Sequence, residues 1–175
     1  MTANPGPPPA VRLDAFTPSH LAGILGDGPD PFGVSATGLT WLPKEEHFGI
    51  RLDGRLVAHA GLRRVPVALG GAETEVIGVG GVAVAPDLRG RGLARRAVEA
   101  ALAHARTMGP RHALLFCRPP LVARYARLGW REVPGDVWVE QPTGSVRMPL
   151  HSLWTPLQEG AAWPPGTARL RSLPM

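Results

Sequence analysis

Hydrophobic and polar residues along the first half of the chain predict strands with one early helix. Residues 11–16 alternate with the two-residue period of a strand, and residues 17–25 begin like a helix, with proline in the first turn. Asp53-Gly54 and Gly70-Gly71 have the composition of hairpin turns. They separate three predicted strands, which we place at 48–52, 56–67 and 73–84.

The spacing of apolar residues changes in the second half of the chain. Apolar residues within 93–105 recur on one helical face, and a short apolar run at 113–117 predicts a buried strand. A second helix is predicted from Pro119 to about residue 128, followed by strands at 130–133 and 145–150. The resulting order, β-α-βββ-α-β-α-ββ, indicates an α+β domain with a mixed sheet.

These elements also predict where the domain begins and ends. We assign the domain to residues 10–150. Residues 1–9 are rich in proline and predict a flexible arm, and residues 151–175 predict a tail packed on the domain.

Composition narrows the classes of ligand and partner. The chain has 175 residues and a formal net charge of +5, and Lys44 is the only lysine among 19 basic residues. Arginine suits an anionic ligand, although a general bias of composition toward arginine explains the count equally well. No long basic run indicates a nucleic-acid partner.

Cysteine count and hydropathy exclude further classes of protein. With Cys117 as the single cysteine, neither an intramolecular disulfide nor a cysteine-rich zinc site is possible, and we expect no metal. No apolar run approaches the length of about 20 residues that spans a membrane, and no secretory signal is evident. We therefore expect a soluble, cytoplasmic protein, as a monomer or a homodimer.

The most informative segment is V-A-V-A-P-D-L-R-G-R-G-L-A at 82–94, in which a predicted strand turns into a helix. The first N–H groups of a helix lack partners and carry partial positive charge. Gly90 and Gly92 leave those amides uncovered, and Arg89 and Arg91 add formal charge. The segment therefore predicts a cradle for a pyrophosphate.

Two nucleotide-binding motifs do not match this segment. The dinucleotide fingerprint needs a third glycine where Arg95 stands, and the P-loop needs a lysine that is absent here. Arg89-x-x-Gly92-x-Ala94 instead resembles the [QR]-x-x-G-x-[GA] signature of GNAT N-acetyltransferases. Tyr125-x-x-Leu128-Gly129-Trp130 resembles that family's Y-x-x-L-G-[FW] motif, so the resemblance covers roughly residues 10–150.

The resemblance implies a GNAT fold, with a mixed, mostly antiparallel central sheet flanked by helices, and acetyl-CoA as co-substrate. It implies that the strand at 82–84 binds pantetheine through its main chain and that the loop at 89–94 holds the pyrophosphate. The implied cofactor-binding residues are Val82, Ala83, Val84, Arg89, Gly90, Arg91, Gly92, Leu93 and Ala94. Glycines at 78, 80 and 81 suit a bulge that opens a gap beside this strand.

The implied reaction needs an acid for the thiolate and a base for the amine. Tyr125, the only tyrosine, lies where the family places its general acid, and a phenol is protonated at neutral pH. Glu75 is our candidate base, with Glu73, His59 and solvent as alternatives, because glycines occupy the stretch where family members often carry a glutamate. An acyl intermediate on Cys117 is the less favoured alternative to an inert buried thiol.

The acceptor implied by the resemblance is a primary amine of a small molecule. Short runs at 57–60 and 163–166 also resemble aminoglycoside 2'-N-acetyltransferases and nodulation N-acyltransferases, although polycationic acceptors require an acidic groove that this basic chain does not indicate. A non-catalytic acyl-CoA sensor and a protein N-acetyltransferase remain as alternatives.

Overall fold

The structure is a computed structural model and describes residues 6–175, so the first five residues of the predicted arm at 1–9 lie outside the described part. Within the described residues there are three α-helices, α1 Pro18–Leu25, α2 Leu93–Ala105 and α3 Val122–Ala126. Ten strands accompany them: β1 Val11–Leu13, β2 Glu46–Leu52, β3 Arg55–Leu69, β4 Ala72–Val84, β5 His112–Cys117, β6 Arg131–Glu132, β7 Val137–Gln141, β8 Gly144–Arg147, β9 His151–Pro156 and β10 Ala168–Leu170.

All ten strands belong to one mixed sheet. Its main path runs β6-β9-β5-β4-β3-β10-β7-β8, while β2 pairs with the first half of β3 and β1 pairs with β2. Two strand pairings, β4 with β5 and β10 with β7, are parallel, and the other pairings are antiparallel. The predicted α+β class with a mostly antiparallel sheet flanked by helices is therefore confirmed.

Local sequence explains where the two longer helices begin. Thr17 caps α1, since its side chain accepts a hydrogen bond from the His20 N–H and Pro18 occupies the first turn. Helix α2 follows Gly92, which adopts a left-handed conformation with φ of 74°. The apolar face of α2, from Leu93 to Ala105, is buried against the sheet.

Side chains divide between the two faces of the sheet. On one face Ala60, Leu62, Ile77 and Val79 pack against α2 in the largest apolar cluster. On the other face a second cluster gathers aromatic residues from the C-terminal quarter of the chain, including Trp154 and Trp163. Strands β3 and β4 alternate between these clusters, as the two-residue period of their sequences requires.

The structure differs from the sequence expectation after residue 129. The predicted strands at 130–133 and 145–150 correspond to the short β6 and to β8, which is offset to Gly144–Arg147. The segment 151–175, expected as a tail, contributes β9 between β5 and β6 and β10 between β3 and β7. In β9, the run Leu153-Trp154-Thr155 is buried on both faces, so it lacks the alternation that marks a half-exposed strand.

None of the helices in residues 6–175 is long and apolar enough to cross a membrane.

Candidate functional site

Strands β4 and β5 pair over only two residues and then separate. The parallel register joins Ile77 to Ala113 and Gly78 to Leu114, and no pairing within the described chain continues beyond it. Main-chain groups of 79–84 on β4 and 115–117 on β5 therefore face each other across a gap. An unpaired strand edge of this kind can accept an extended ligand as an additional strand.

A β-bulge lies at the mouth of this gap. Gly61 pairs with Gly80 and His59 pairs with Ala83, so two residues of β4, Gly81 and Val82, stand opposite one residue of β3. Gly81 has φ of 60°, a left-handed conformation that favours glycine. The bulge that the glycines predict is thus confirmed, and it directs β4 away from β5.

The loop at 89–94 leads from the open end of β4 into α2. Gly90 has φ of 79°, Gly92 begins the helix without a side-chain cap, and no acidic residue lies in the first turn. Leu93 buries its side chain, while Arg89 and Arg91 are exposed beside the loop. Backbone N–H groups and guanidinium groups together can bind a diphosphate here.

A cleft of about 580 Å³ opens at the bulge, between the separated strands and the segment that carries residues 16–34. Its walls are mainly apolar, with Phe16, Trp41 and Phe116 among the lining residues. The polar lining residues are Thr17, Asp30, Lys44, His47, His59, Arg118 and Tyr125. The cleft can thus enclose a small organic molecule beside the unpaired edge of β4.

Tyr125 reaches this cleft from α3. Its ring packs edge-on against Trp130, with ring centroids 6.1 Å apart, and its hydroxyl has no hydrogen-bond partner within residues 6–175. Burial, together with neighbouring Cys117, raises the pKa of Tyr125 to about 12. The phenol therefore stays protonated at neutral pH and can donate to a ligand atom in the cleft.

Two histidines that also line the cleft form a hydrogen-bonded chain. His59 Nδ1 lies 2.7 Å from the Gly81 carbonyl oxygen, and His59 Nε2 lies 2.9 Å from His47 Nδ1. A carbonyl only accepts, so His59 Nδ1 carries the hydrogen, and burial lowers the pKa of His59 to about 4, which keeps the ring neutral. His59 Nε2 must then accept from His47 Nδ1–H, which leaves the lone pair on Nε2 of neutral His47.

The carboxylates considered as bases lie away from this cleft. Glu75 pairs with Arg64 at 3.5 Å on the half of β4 before the gap, and Glu73 pairs with Arg171 at 2.6 Å. Neither carboxylate lines the cleft, so the structure does not bring Glu75 together with Tyr125. The prediction of Glu75 follows from the strand on which the family often carries a glutamate, but membership of a strand does not place a residue at the part of β4 that borders the gap.

Sequence reasoning overlooked His47 and Lys44 and placed His59 only among several alternatives. His47 is brought to His59 by the pairing of β2 with β3, and Phe16 stacks on the His59 ring with centroids 3.6 Å apart. One signal was available: two glycines, Gly61 and Gly80, interrupt otherwise apolar strands where a side chain from elsewhere must approach.

The described residues contain no group of three or more histidine, cysteine, aspartate or glutamate side chains placed to hold a metal ion.

Acid should destabilise the fold through His59. Its pKa of about 4 lies below the ordinary value of 6.5, so between these values the unfolded chain binds a proton that the folded protein excludes. The contribution of neutral His59 to the free energy of unfolding is complete above pH 6.5 and is lost as pH falls toward 4. Its size is about 3 kcal/mol, because one pKa unit is worth about 1.4 kcal/mol.

Urea unfolding of wild type and His59→Gln between pH 7.5 and 4.5 measures this contribution. In His59→Gln the free energy of unfolding should lose most of its pH dependence, whereas the exposed control His151→Gln should keep it. Burial also lowers the pKa values of His47 and His112, and these two residues account for the smaller remainder. If the free energy of unfolding of His59→Gln falls with pH as steeply as that of wild type, His59 is not held neutral by burial.

Solved structures of similar fold include several acetyltransferases. A GNAT family N-acetyltransferase (YhbS) from Escherichia coli in complex with CoA is 18% identical, with TM-score 0.60 over 97% of this chain and 93% of that chain. A GNAT family acetyltransferase from Brucella melitensis in complex with acetyl-CoA is 20% identical, with TM-score 0.52 over 91% of this chain and 94% of that chain. The ribosomal-protein-S18-alanine N-acetyltransferase from Escherichia coli is 17% identical, with TM-score 0.55 over 88% of this chain and 99% of that chain. At these identities the likeness establishes the fold.

No curated protein matches the sequence. The model of the Acetyltransferase (GNAT) family matches residues 18–130, which is well over half of the chain and includes the loop at 89–94 and Tyr125. This chain therefore belongs to the Acetyltransferase (GNAT) family, whose members are acetyl-CoA-dependent N-acetyltransferases.

Proposed function

We propose that this acetyltransferase passes the acetyl group directly from acetyl-CoA to a primary amine of a small molecule, with Tyr125 as general acid and His47 as proton acceptor. The observation that carries the proposal is the unpaired edge of β4, which opens at its bulge into a cleft lined by both side chains. Reacting atoms held at the bulge would lie within reach of the acid and the base.

In this proposal the co-substrate occupies the gap as a substitute strand. The main chain of Val82, Ala83 and Val84 provides donors and acceptors for the pantetheine amides. The amides of 90–94 hold the diphosphate, with Arg89 and Arg91 contributing charge-assisted hydrogen bonds. The thioester then lies where β4 and β5 separate, beside the cleft.

The reaction exchanges a carbon–sulfur bond for a carbon–nitrogen bond. The neutral amine attacks the thioester carbon, and main-chain N–H groups at the bulge can stabilise the oxyanion that forms. As the C–S bond breaks, Tyr125 donates its proton to the sulfur of CoA. The proton lost by the amine goes to the free Nε2 of His47, whose ring is oriented by His59.

Cys117 indicates how the surroundings affect a thiol in this cleft. Burial, with a contribution from Glu132, raises the pKa of the Cys117 thiol to about 11. A departing thiolate in the same surroundings would be similarly destabilised, so its proton affinity would rise. Because burial raises the pKa of Tyr125 as well, the phenol and the thiol shift in the same direction, and proton transfer from Tyr125 to sulfur stays as closely matched as in water. The same shift keeps Cys117 a protonated thiol and disfavours it as a nucleophile.

The shape and charge of the cleft favour a small, non-polycationic acceptor. Asp30 is the only acidic side chain that lines it, and both of its carboxylate oxygens already accept hydrogen bonds from Val34 and Ser35. The glutamates at 45, 73 and 75 pair with arginines outside the cleft. This arrangement gives no support to an aminoglycoside acceptor, which needs an acidic groove.

Gly90→Val should weaken CoA binding, because a branched side chain would cover the amides that receive the diphosphate. Gly71→Val is a matched control, since both glycines have φ of 79° and open space at the position of a Cβ, but Gly71 lies in the β3–β4 hairpin. Both variants should lose similar stability. Calorimetry with CoA should show at least about tenfold weaker binding for Gly90→Val alone, and equal affinities would contradict the proposed cradle.

Tyr125→Phe should lower kcat about 10²–10⁴-fold while the affinity for CoA changes little, because only the proton donor is lost. Release of CoA is measured with a panel of primary amines that includes amino acids, alkyl amines and aminoglycosides, and the acetylated product is identified by mass. A kcat that stays at the wild-type value would remove Tyr125 from the reaction. CoA binding without product from any amine would favour the sensor alternative.

His47→Ala should lower kcat/KM about 10²-fold, near the lower limit for a general base since water can replace a weak one. Imidazole added to the buffer should restore part of the rate by filling the vacated space. His151→Ala, which removes an exposed histidine paired with Glu132, is the control and should keep the wild-type rate without responding to imidazole. If His47→Ala is fully active, the proton leaves directly to solvent.

A further inference from the structure

Lys44, the only lysine of the chain, lies in a groove that two glycines leave open. Gly61 on β3 and Gly80 on β4 are direct cross-strand partners. A Cβ on Gly61 would lie 2.5 Å from Lys44 Cγ, and one on Gly80 would lie 2.7 Å from Lys44 Cε. The sheet can thus accept the Lys44 stem only because both positions lack a side chain.

The groove ends in the cleft, beside the residues proposed for chemistry. A Cβ on Gly80 would lie 3.0 Å from the Lys44 ammonium nitrogen, and Gly80 directly precedes the bulge. The Lys44 stem and the His59 ring both border Gly61, where a Cβ would lie 2.8 Å from Lys44 Cβ and 3.3 Å from His59 Cε1. The charge of Lys44 also contributes to lowering the pKa values of His47 and His59. An acceptor amine directed at His47 Nε2 would therefore have Lys44 as a close neighbour.

Lys44 makes no salt bridge within residues 6–175, although a main-chain oxygen of Met175 also lies beside Gly80, 3.7 Å from the position of a Cβ there. No aspartate or glutamate carboxylate of residues 6–175 lies within 4.0 Å of Lys44, because Glu45 pairs with Arg63 and Glu46 pairs with Arg12 and His104. Burial, together with Arg63, lowers the pKa of Lys44 to about 8, which still leaves the ammonium form predominant at neutral pH. An enclosed cation without a partner is costly unless a ligand supplies the opposite charge.

The second cation of the cleft is also without a carboxylate. Arg118 follows β5, and its guanidinium lies against Gly33, where a Cβ would approach it to 2.9 Å. No carboxylate of the described residues pairs with it, and Asp30 is occupied by its own turn. The cleft therefore has two available positive charges and an apolar lining.

We propose that Lys44 binds the carboxylate of the acceptor, and that the acceptor is an apolar α-amino acid whose amine is acetylated. The proposal rests on the function proposed above. In an α-amino acid the amine and the carboxylate are joined through one carbon, which suits the closeness of His47 to Lys44. The apolar side chain of the substrate would contact Phe16, Trp41 and Phe116.

The experiment compares amino acids with their amides, which have the same shape and amine but lack the negative charge. Valine, leucine, methionine, phenylalanine and tryptophan are each assayed beside the corresponding amide for acetyl-CoA-dependent CoA release. Wild type should favour at least one acid over its amide by about 10- to 100-fold in kcat/KM, as expected for a charge-assisted hydrogen bond. Lys44→Met should bring that ratio close to one.

Two further variants separate recognition by Lys44 from general loss of charge or stability. Arg63→Met removes a neighbouring cation that is paired with Glu45, and it should keep the wild-type ratio. Gly61→Ala keeps the charge but displaces the Lys44 stem, so the ratio should fall. A ratio that is unchanged in Lys44→Met, or that falls equally in Arg63→Met, would overturn the proposal.

Other outcomes distinguish this inference from the function on which it rests. If no acid is acetylated while another amine still gives CoA release, the role of Lys44 is refuted and acetyl transfer stands. Loss of both CoA binding and all CoA release refutes both proposals. Mass spectrometry of the protein after incubation with acetyl-CoA should show no acetyl group on its single lysine, since acetylation there would make Lys44 an acceptor instead.

Discussion

The site depends on hydrogen bonds that β4 and β5 do not make with each other. Backbone N–H and C=O groups need partners, and a sheet normally supplies them along the whole strand. Here pairing stops after Gly78 and Leu114, and the bulge at Gly81 carries β4 away. The gap thereby combines a strand edge that needs partners with an entrance to the cleft. A ligand with the amide spacing of a peptide meets both conditions, and this is why we propose that pantetheine binds here with little help from side chains.

Charge in this protein is distributed unevenly between the outer surface and the cleft. Arginines pair with five of the eight glutamates at the surface, as in Arg63–Glu45 and Arg171–Glu73. Exposed pairs of this kind contribute little stability. Their effect on the cleft is indirect, because Glu45, the neighbour of Lys44 in the chain, is paired with Arg63 instead. The net charge of +5 is therefore less informative than the position of the one lysine.

Much of the fold and half of the site could be read from the sequence. Turn residues and periodicity located β2 to β4 and α2 within a few residues, and the loop at 89–94 was identified because its chemistry is contiguous in sequence. The C-terminal strands were missed, since β9 is buried on both faces and β10 has only three residues. His47, His59 and Lys44 converge through strand register, and the sequence alone does not state which residues of neighbouring strands stand opposite each other.

Strand β3 has fifteen residues and serves two partners along one edge: β2 beside its first half and β10 beside Val67 and Ala68. The first partner precedes β3 closely in the chain, whereas the second follows it by about a hundred residues. During synthesis, the far end of β3 therefore emerges long before the segment that will cover it. That edge is a place where a nascent chain can associate with another strand, and its protection comes only when residues 168–170 are made.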